Sequence, residues 1–191
     1  MISDNLRKLN INIPNAPDPV GAYVAYKIIG NLLYISGQLP IGTDGKIIKG
    51  KIGKNLTLED GQKASKLCVI NILAQASKAM NGDLDKIKNC IKITGFVNST
   101  DEFIDQPKVI NPASETLSAV FGDKGKHARV AISANSLPLG AAVEIDAIFE
   151  IENLDGNGKW IASVVEFVRA QFFAGQYDGC YQRPEYYLVK V

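Results

Sequence analysis

The stretch His127-Ala-Arg-Val-Ala-Ile-Ser-Ala-Asn-Ser-Leu-Pro-Leu-Gly-Ala-Ala-Val-Glu-Ile-Asp-Ala-Ile-Phe149 decides how this chain is read. Two alternating segments flank Leu137-Pro138-Leu139-Gly140, and side chains in a strand point to opposite faces in turn. In the second segment Val143, Ile145, Ala147, Phe149 and Ile151 form an unbroken apolar face, while Glu144, Asp146, Ile148 and Glu150 point the other way. In the first, Ala128, Val130, Ile132 and Ala134 alternate with Arg129, Ala131 and Ser133. A hairpin about Pro138 and Leu139 sets Arg129 opposite Ile148 and Ser133 opposite Glu144. The cation Arg129 and the carboxylate Glu144 then share one polar face, roughly 13 Å apart along the strands. The pair is either two residues converging on a site or part of a solvated outer face, which antiparallel sheets commonly carry.

Upstream, Pro14, Pro17 and Pro19 imply an extended lead-in. Strand-like runs at 22–29 and 32–38 surround Gly30-Asn31, a hairpin signal. Thr57-Leu-Glu-Asp60 opens a helix as a variant capping box, Val69, Ile72, Leu73, Ala76 and Met80 give it one apolar face, and Asn81-Gly82 stops it. A third strand is expected near 90–97. Pro107 and Pro112 are expected to split the second helical region, with Asn111 capping and Pro112 opening a segment that reaches Phe121. The order strand, strand, helix, strand, helix, strand, strand predicts an α+β fold: a mixed sheet with two helices on one face and the other face open.

The chain has 191 residues, 46% hydrophobic and 21% charged, which suits a globular domain able to bury a core without metals or disulfides. Its net charge of +1 offers no electrostatic case for nucleic acid or an anionic membrane. Cys68, Cys90 and Cys180 are odd in number and far apart, so neither a disulfide framework nor a zinc site is indicated. Free thiols and the absence of a leader-like start at Met1 point to the cytoplasm. Residues 1–152 read as the domain and 153–191 as an aromatic-rich extension. Trp160, Phe167, Phe172, Phe173, Tyr177, Tyr181, Tyr186 and Tyr187 are about half of all the aromatics. Ile161, Val164, Val165, Val168 and Phe172 fit an amphipathic helix. This extension either docks on its own protein, is an extension of the reading frame, or serves as a partner-binding arm.

Several separated pieces, taken in order, resemble the Rid family, also called YjgF: Ala16-Pro17 with Val20-Gly-Ala-Tyr23, Tyr34-Ile-Ser-Gly-Gln-Leu-Pro40, Gly95-Phe-Val97, and Arg129 with Leu137-Pro138 and Glu144-Ile145. Each piece is weak, but together at those separations they are specific, and they cover about 11–151. The resemblance implies a chorismate-mutase-like fold assembled as a homotrimer with three clefts between subunits. It implies deamination of 2-imino and 2-amino-enoic acids, such as 2-aminoacrylate, to 2-keto acids and ammonia, with no cofactor and no metal. Arg129 would grip the substrate carboxylate, as a planar guanidinium does in a bidentate manner. Glu144 would hold and polarise the attacking water. Tyr23, Ser36, Gly37 and the backbone of Ala131 would line the cleft.

Two departures matter. The position two after the arginine, often cysteine in the family, is Ala131, and the position four after Val97, asparagine in some deaminases, is Asp101, whose charge would repel an anion if it pointed inward. His127 reads as a loop residue before a strand rather than as a base. A non-enzymatic trimer that senses small carboxylates or acts as a chaperone is the alternative function. RNA cleavage, reported in the family, is disfavoured by the neutral charge balance.

Overall fold

The computed structural model describes residues 1–16, 19 and 21–153. The expected amphipathic helix of the aromatic extension lies outside the described residues, as do Pro17, Asp18 and Val20. A seven-residue helix, α1 (Ile2–Lys8), comes first. It is too short to be stable alone and is held from outside. Ile2 is buried, its backbone N–H donates to Asp85 Oδ1 at 2.8 Å, and Asn5 Nδ2 donates to the Val120 carbonyl at 2.9 Å. No periodicity over so few residues announces it.

The next helix, α2 (Leu58–Ala79), begins as its capping box dictates. Thr57 Oγ1 accepts from the Asp60 N–H at 3.2 Å, and Asp60 Oδ2 accepts from the Thr57 N–H at 3.1 Å. Two of the unsatisfied amides at the helix start are thereby paired. Val69, Ile72, Leu73 and Ala76 have no solvent exposure, and the chain leaves the helix through left-handed Asn81 and Gly82.

The sheet comprises β1 (Tyr26–Ile29), β2 (Leu32–Gln38), β3 (Ile87–Asn98), β4 (Ala128–Ala134) and β5 (Val143–Ile151). Their spatial order is β1-β2-β5-β3-β4. The two-residue hairpin at Gly30-Asn31 is present, with Gly30 at φ 58°. The first strand is shorter than expected and starts at Tyr26. The apolar face of β5 is fully buried under α2 and its partner helix. Burying Phe149, which tilts against Phe121 with ring centroids 5.9 Å apart, contributes about 3–5 kcal/mol by the cost of truncating such a side chain.

The expected hairpin between the Arg129 and Glu144 strands does not form. β4 pairs parallel with β3, and β3 lies between β4 and β5. Leu137-Pro138-Leu139-Gly140 starts a short 3-10 turn with Leu139 left-handed at φ 56°, which returns the chain across the end of β3. The register changes as well: Arg129 is level with Ile93 and hence with Ala147, not Ile148. A one-residue shift of register exchanges the faces of a strand. Arg129, Ala131 and Ser133 therefore face the helix layer, while Val130 and Ile132 join Glu144 on the open face.

The second long helix, α3 (Gln106–Phe121), is continuous through Pro112, contrary to the expected split. Pro107 lies in the first turn, where a missing N–H is harmless. Pro112 removes the hydrogen bond that the Lys108 carbonyl would receive within the helix. Gln62 of α2 supplies it instead, its Nε2 donating to that carbonyl at 3.1 Å. Asn111 is therefore not a cap.

Candidate functional site

The open sheet face carries a cavity of about 480 Å³ whose lining includes Lys27, Tyr34, Ser36, Gly37, Lys92 and Asp146. Its geometry comes from a bulge in β2. Ile35 pairs with Ala147 and Gln38 with Ile145, so Ser36 and Gly37 together oppose Asp146. Such an extra residue bends a strand and re-aims its side chains. The Ser36 hydroxyl donates to the Val24 carbonyl at 2.8 Å, and its N–H donates to Ala25 O at 3.0 Å. The segment leading into β1 is thereby held against the bulge, and the lone pairs of Ser36 Oγ stay available.

Glycine at position 37 has a steric cause. A Cβ there would sit 2.0 Å from Glu144 Oε1 and 2.9 Å from its Cδ, so the carboxylate occupies the space a side chain would fill. Half-buried on β5, Glu144 has its pKa raised above the ordinary 4.5, first by burial and then by the neighbouring charge of Asp146. A carboxylate with a raised pKa accepts a proton more readily near neutrality, as a general base requires.

Arg129 is half-buried on the opposite side of the sheet. Its Nη1 donates to Asn111 Oδ1 at 3.0 Å and to Ser114 Oγ at 3.1 Å, both on α3. Among the described residues nothing bonds its Nε or Nη2, so one edge of the guanidinium is anchored and the other is free for a planar anion. Arg129 and Glu144 do not converge within one chain. They lie on opposite faces of strands separated by β3, roughly 10 Å across the sheet.

The structure thus brings Ser36, Gly37 and Glu144 together and sets Arg129 with Ala131 apart from them. Tyr23 is exposed in a bend before β1 and makes no hydrogen bond to this group. Ala131 packs against the core from β4. Asp101 is exposed in the turn after β3, outside the cavity lining. Cys68 and Cys90 are buried free thiols; burial pushes Cys90 up to about 12 and Cys68 well above the usual range, so neither offers a thiolate nucleophile. No cluster of three metal-ligating side chains occurs among the described residues, and none of their helices is long and apolar enough to cross a membrane. Beyond the expected cap at Asn111, neither Asn111 nor Ser114 is singled out in the sequence as a site residue. Their i, i+3 spacing on one helix face was the available signal.

The profile of the family described as "YjgF/chorismate mutase-like, putative endoribonuclease" matches residues 4–151. The chain is 41% identical to Protein TCP17 of Trypanosoma cruzi over 80% of this chain and 95% of that protein. Among solved structures, Atu1372 of Agrobacterium tumefaciens, described as of unknown function, superposes with a TM-score of 0.73 at 47% identity, covering 79% of this chain and 94% of the other. A putative endoribonuclease from Shewanella oneidensis superposes with a TM-score of 0.76 at 29% identity, covering 79% and 99%. The chain belongs to the Rid/YjgF family, and its α+β fold is the chorismate-mutase-like one.

Proposed function

We propose that the protein hydrolyses reactive 2-imino and 2-amino-enoic acids, such as 2-aminoacrylate, to 2-keto acids and ammonia, acting in the cytoplasm as a homotrimer. The observation that carries this reading is the Glu144 carboxylate seated over the Gly37 backbone, beside a cavity, with its pKa raised. Water held by Glu144 adds to the imine carbon as the carboxylate takes one of its protons. The same carboxyl returns that proton to nitrogen. Collapse of the resulting carbinolamine forms the carbonyl and releases ammonia, with no redox change. An enamine first tautomerises to the imine.

Because Arg129 and Glu144 diverge within one chain, the substrate bridges two copies. One contributes Arg129 and the Ala131 backbone; its neighbour contributes Ser36, Gly37 and Glu144, with Tyr23 at the rim. The open face supports assembly. Tyr34, Val130 and Ile132 are 39%, 38% and 46% exposed there, apolar surface that a neighbouring copy would cover. A second reading, a trimer that senses small carboxylates without turnover, requires only the Arg129 anchor held by Asn111 and Ser114.

The test supplies imines made in situ by an amino-acid oxidase and measures their loss against trapping by semicarbazide. Parent protein should suppress trapping and Glu144→Gln should not. Full activity in Glu144→Gln would remove the mechanism, while ligand-induced thermal stabilisation without turnover would support the sensor.

A further inference from the structure

We propose that Ser114 and His127 form a directional hydrogen-bond chain that positions Arg129, making them determinants of carboxylate affinity rather than parts of the scaffold. The proposal rests on the reading of Arg129 as the carboxylate anchor. His127 Nδ1 lies 2.6 Å from the Gly125 carbonyl, which can only accept, so Nδ1 carries a hydrogen. Its Nε2 lies 3.0 Å from Ser114 Oγ. Ser114 Oγ lies 3.1 Å from Arg129 Nη1, and a guanidinium can only donate.

These constraints leave one assignment for the neutral ring. Arg129 donates to Ser114, Ser114 donates its single hydrogen to Nε2, and Nδ1–H donates to Gly125. Every donor in the chain meets an acceptor. A hydroxyl that donates becomes a better acceptor, so His127 strengthens the grip of Ser114 on Nη1. With Asn111 Oδ1 on the same nitrogen at 3.0 Å, the guanidinium is fixed in roll as well as in position. The Nε–Nη2 edge is then presented as a preformed fork, and preorganisation of this kind lowers the ordering cost of binding. His127 precedes β4 directly and Ser114 lies on α3, so the chain also ties the anchor to both of these elements.

The experiment measures calorimetric binding of 2-oxobutyrate, a stable 2-keto acid, to the full chain. Arg129→Ala should abolish binding. Ser114→Ala and His127→Asn should each raise Kd by about 10-fold or more, the scale set by a hydrogen bond to a charged group. The double variant should be no worse than either single, as expected of residues in one network. His127→Gln should bind within about 3-fold of the parent, because its longer side chain carries an acceptor to the position of Nε2, which asparagine cannot reach. Ser114→Thr should likewise retain binding. The two histidine replacements are both small polar amides, so comparing them separates reach from folding. Parental affinity in Ser114→Ala and His127→Asn, with binding lost in Arg129→Ala, overturns the proposal and leaves the anchor reading intact. Additive losses in the double variant also overturn it. Parental affinity in Arg129→Ala overturns the anchor reading itself.

Discussion

Gly37→Ala tests the site most directly, because its effect is set by one measured distance. The added Cβ would lie 2.0 Å from Glu144 Oε1, 2.9 Å from Cδ and 3.0 Å from Cγ. Ordinary contact with a Cβ begins at 3.4 Å, so the carboxylate must retreat by more than about 1 Å. Glu144 is half-buried, and its side chain can swing toward solvent without moving β5. The fold should therefore tolerate the change, the clash being relieved by a terminal carboxylate and offset by the roughly 0.4–1 kcal/mol that a Gly→Ala change draws from the unfolded chain. Catalysis should not tolerate it, since a 1 Å misplacement of a catalytic group can cost about 100-fold. The assay is steady-state imine hydrolysis beside thermal unfolding. The expected result is a fall in kcat of about 100-fold with KM little changed, because Arg129 still grips the carboxylate. Gly37→Ala combined with Glu144→Gln should be no slower than Glu144→Gln alone. A Gly37→Ala protein with parental kcat would refute the claim that the seat of Glu144 over Gly37 serves catalysis.

Glu144→Gln should gain thermal stability at pH 7 while losing activity. The raised pKa of Glu144 means that its favourable contribution is present in full below the ordinary 4.5 and is lost as pH rises through the folded value; melting curves of parent and variant should therefore converge at low pH. The activity of the parent should rise with pH over the same ionisation, read from kcat/KM. Arg129→Ala should lower kcat/KM chiefly through KM, by roughly 1.5–3 kcal/mol for each charge-assisted hydrogen bond lost. Gln62→Leu should destabilise the protein by at most about 1 kcal/mol, because the exposed Lys108 carbonyl exchanges the Gln62 donor for water, measured by urea unfolding. In a Cys180→Ser background, Cys68 and Cys90 should resist a disulfide reagent at pH 8 until denaturant is added.

Local signals in the sequence were reliable where the physics is local. The capping box at Thr57 and Asp60, the apolar stripe of α2, the Gly30-Asn31 hairpin and the alternation of β5 are set by neighbours within a few residues, and each appears as read. The candidate residues Glu144, Ser36 and Gly37 were legible from their motifs, though not the bulge that explains them. Pro112 shows the opposite case: a proline read correctly by its own preference was overridden by Gln62, distant in sequence, which satisfies the freed carbonyl.

The face of Arg129 is the sharpest example. Alternation determines that Arg129, Ala131 and Ser133 share a side and that Val130 and Ile132 share the other, but not which side meets the helices. That depends on which strand β4 pairs with and in what register, and pairing is a non-local choice decided by burial across the whole sheet. Placing β3 between β4 and β5 turned Arg129 onto the polar face of α3 and left Val130 and Ile132 on the open face. Residue type and alternation supply the chemistry, a guanidinium and a carboxylate on two neighbouring alternating segments. That they point apart is settled by strand pairing, because a strand has two faces and its neighbours, not its own residues, choose between them.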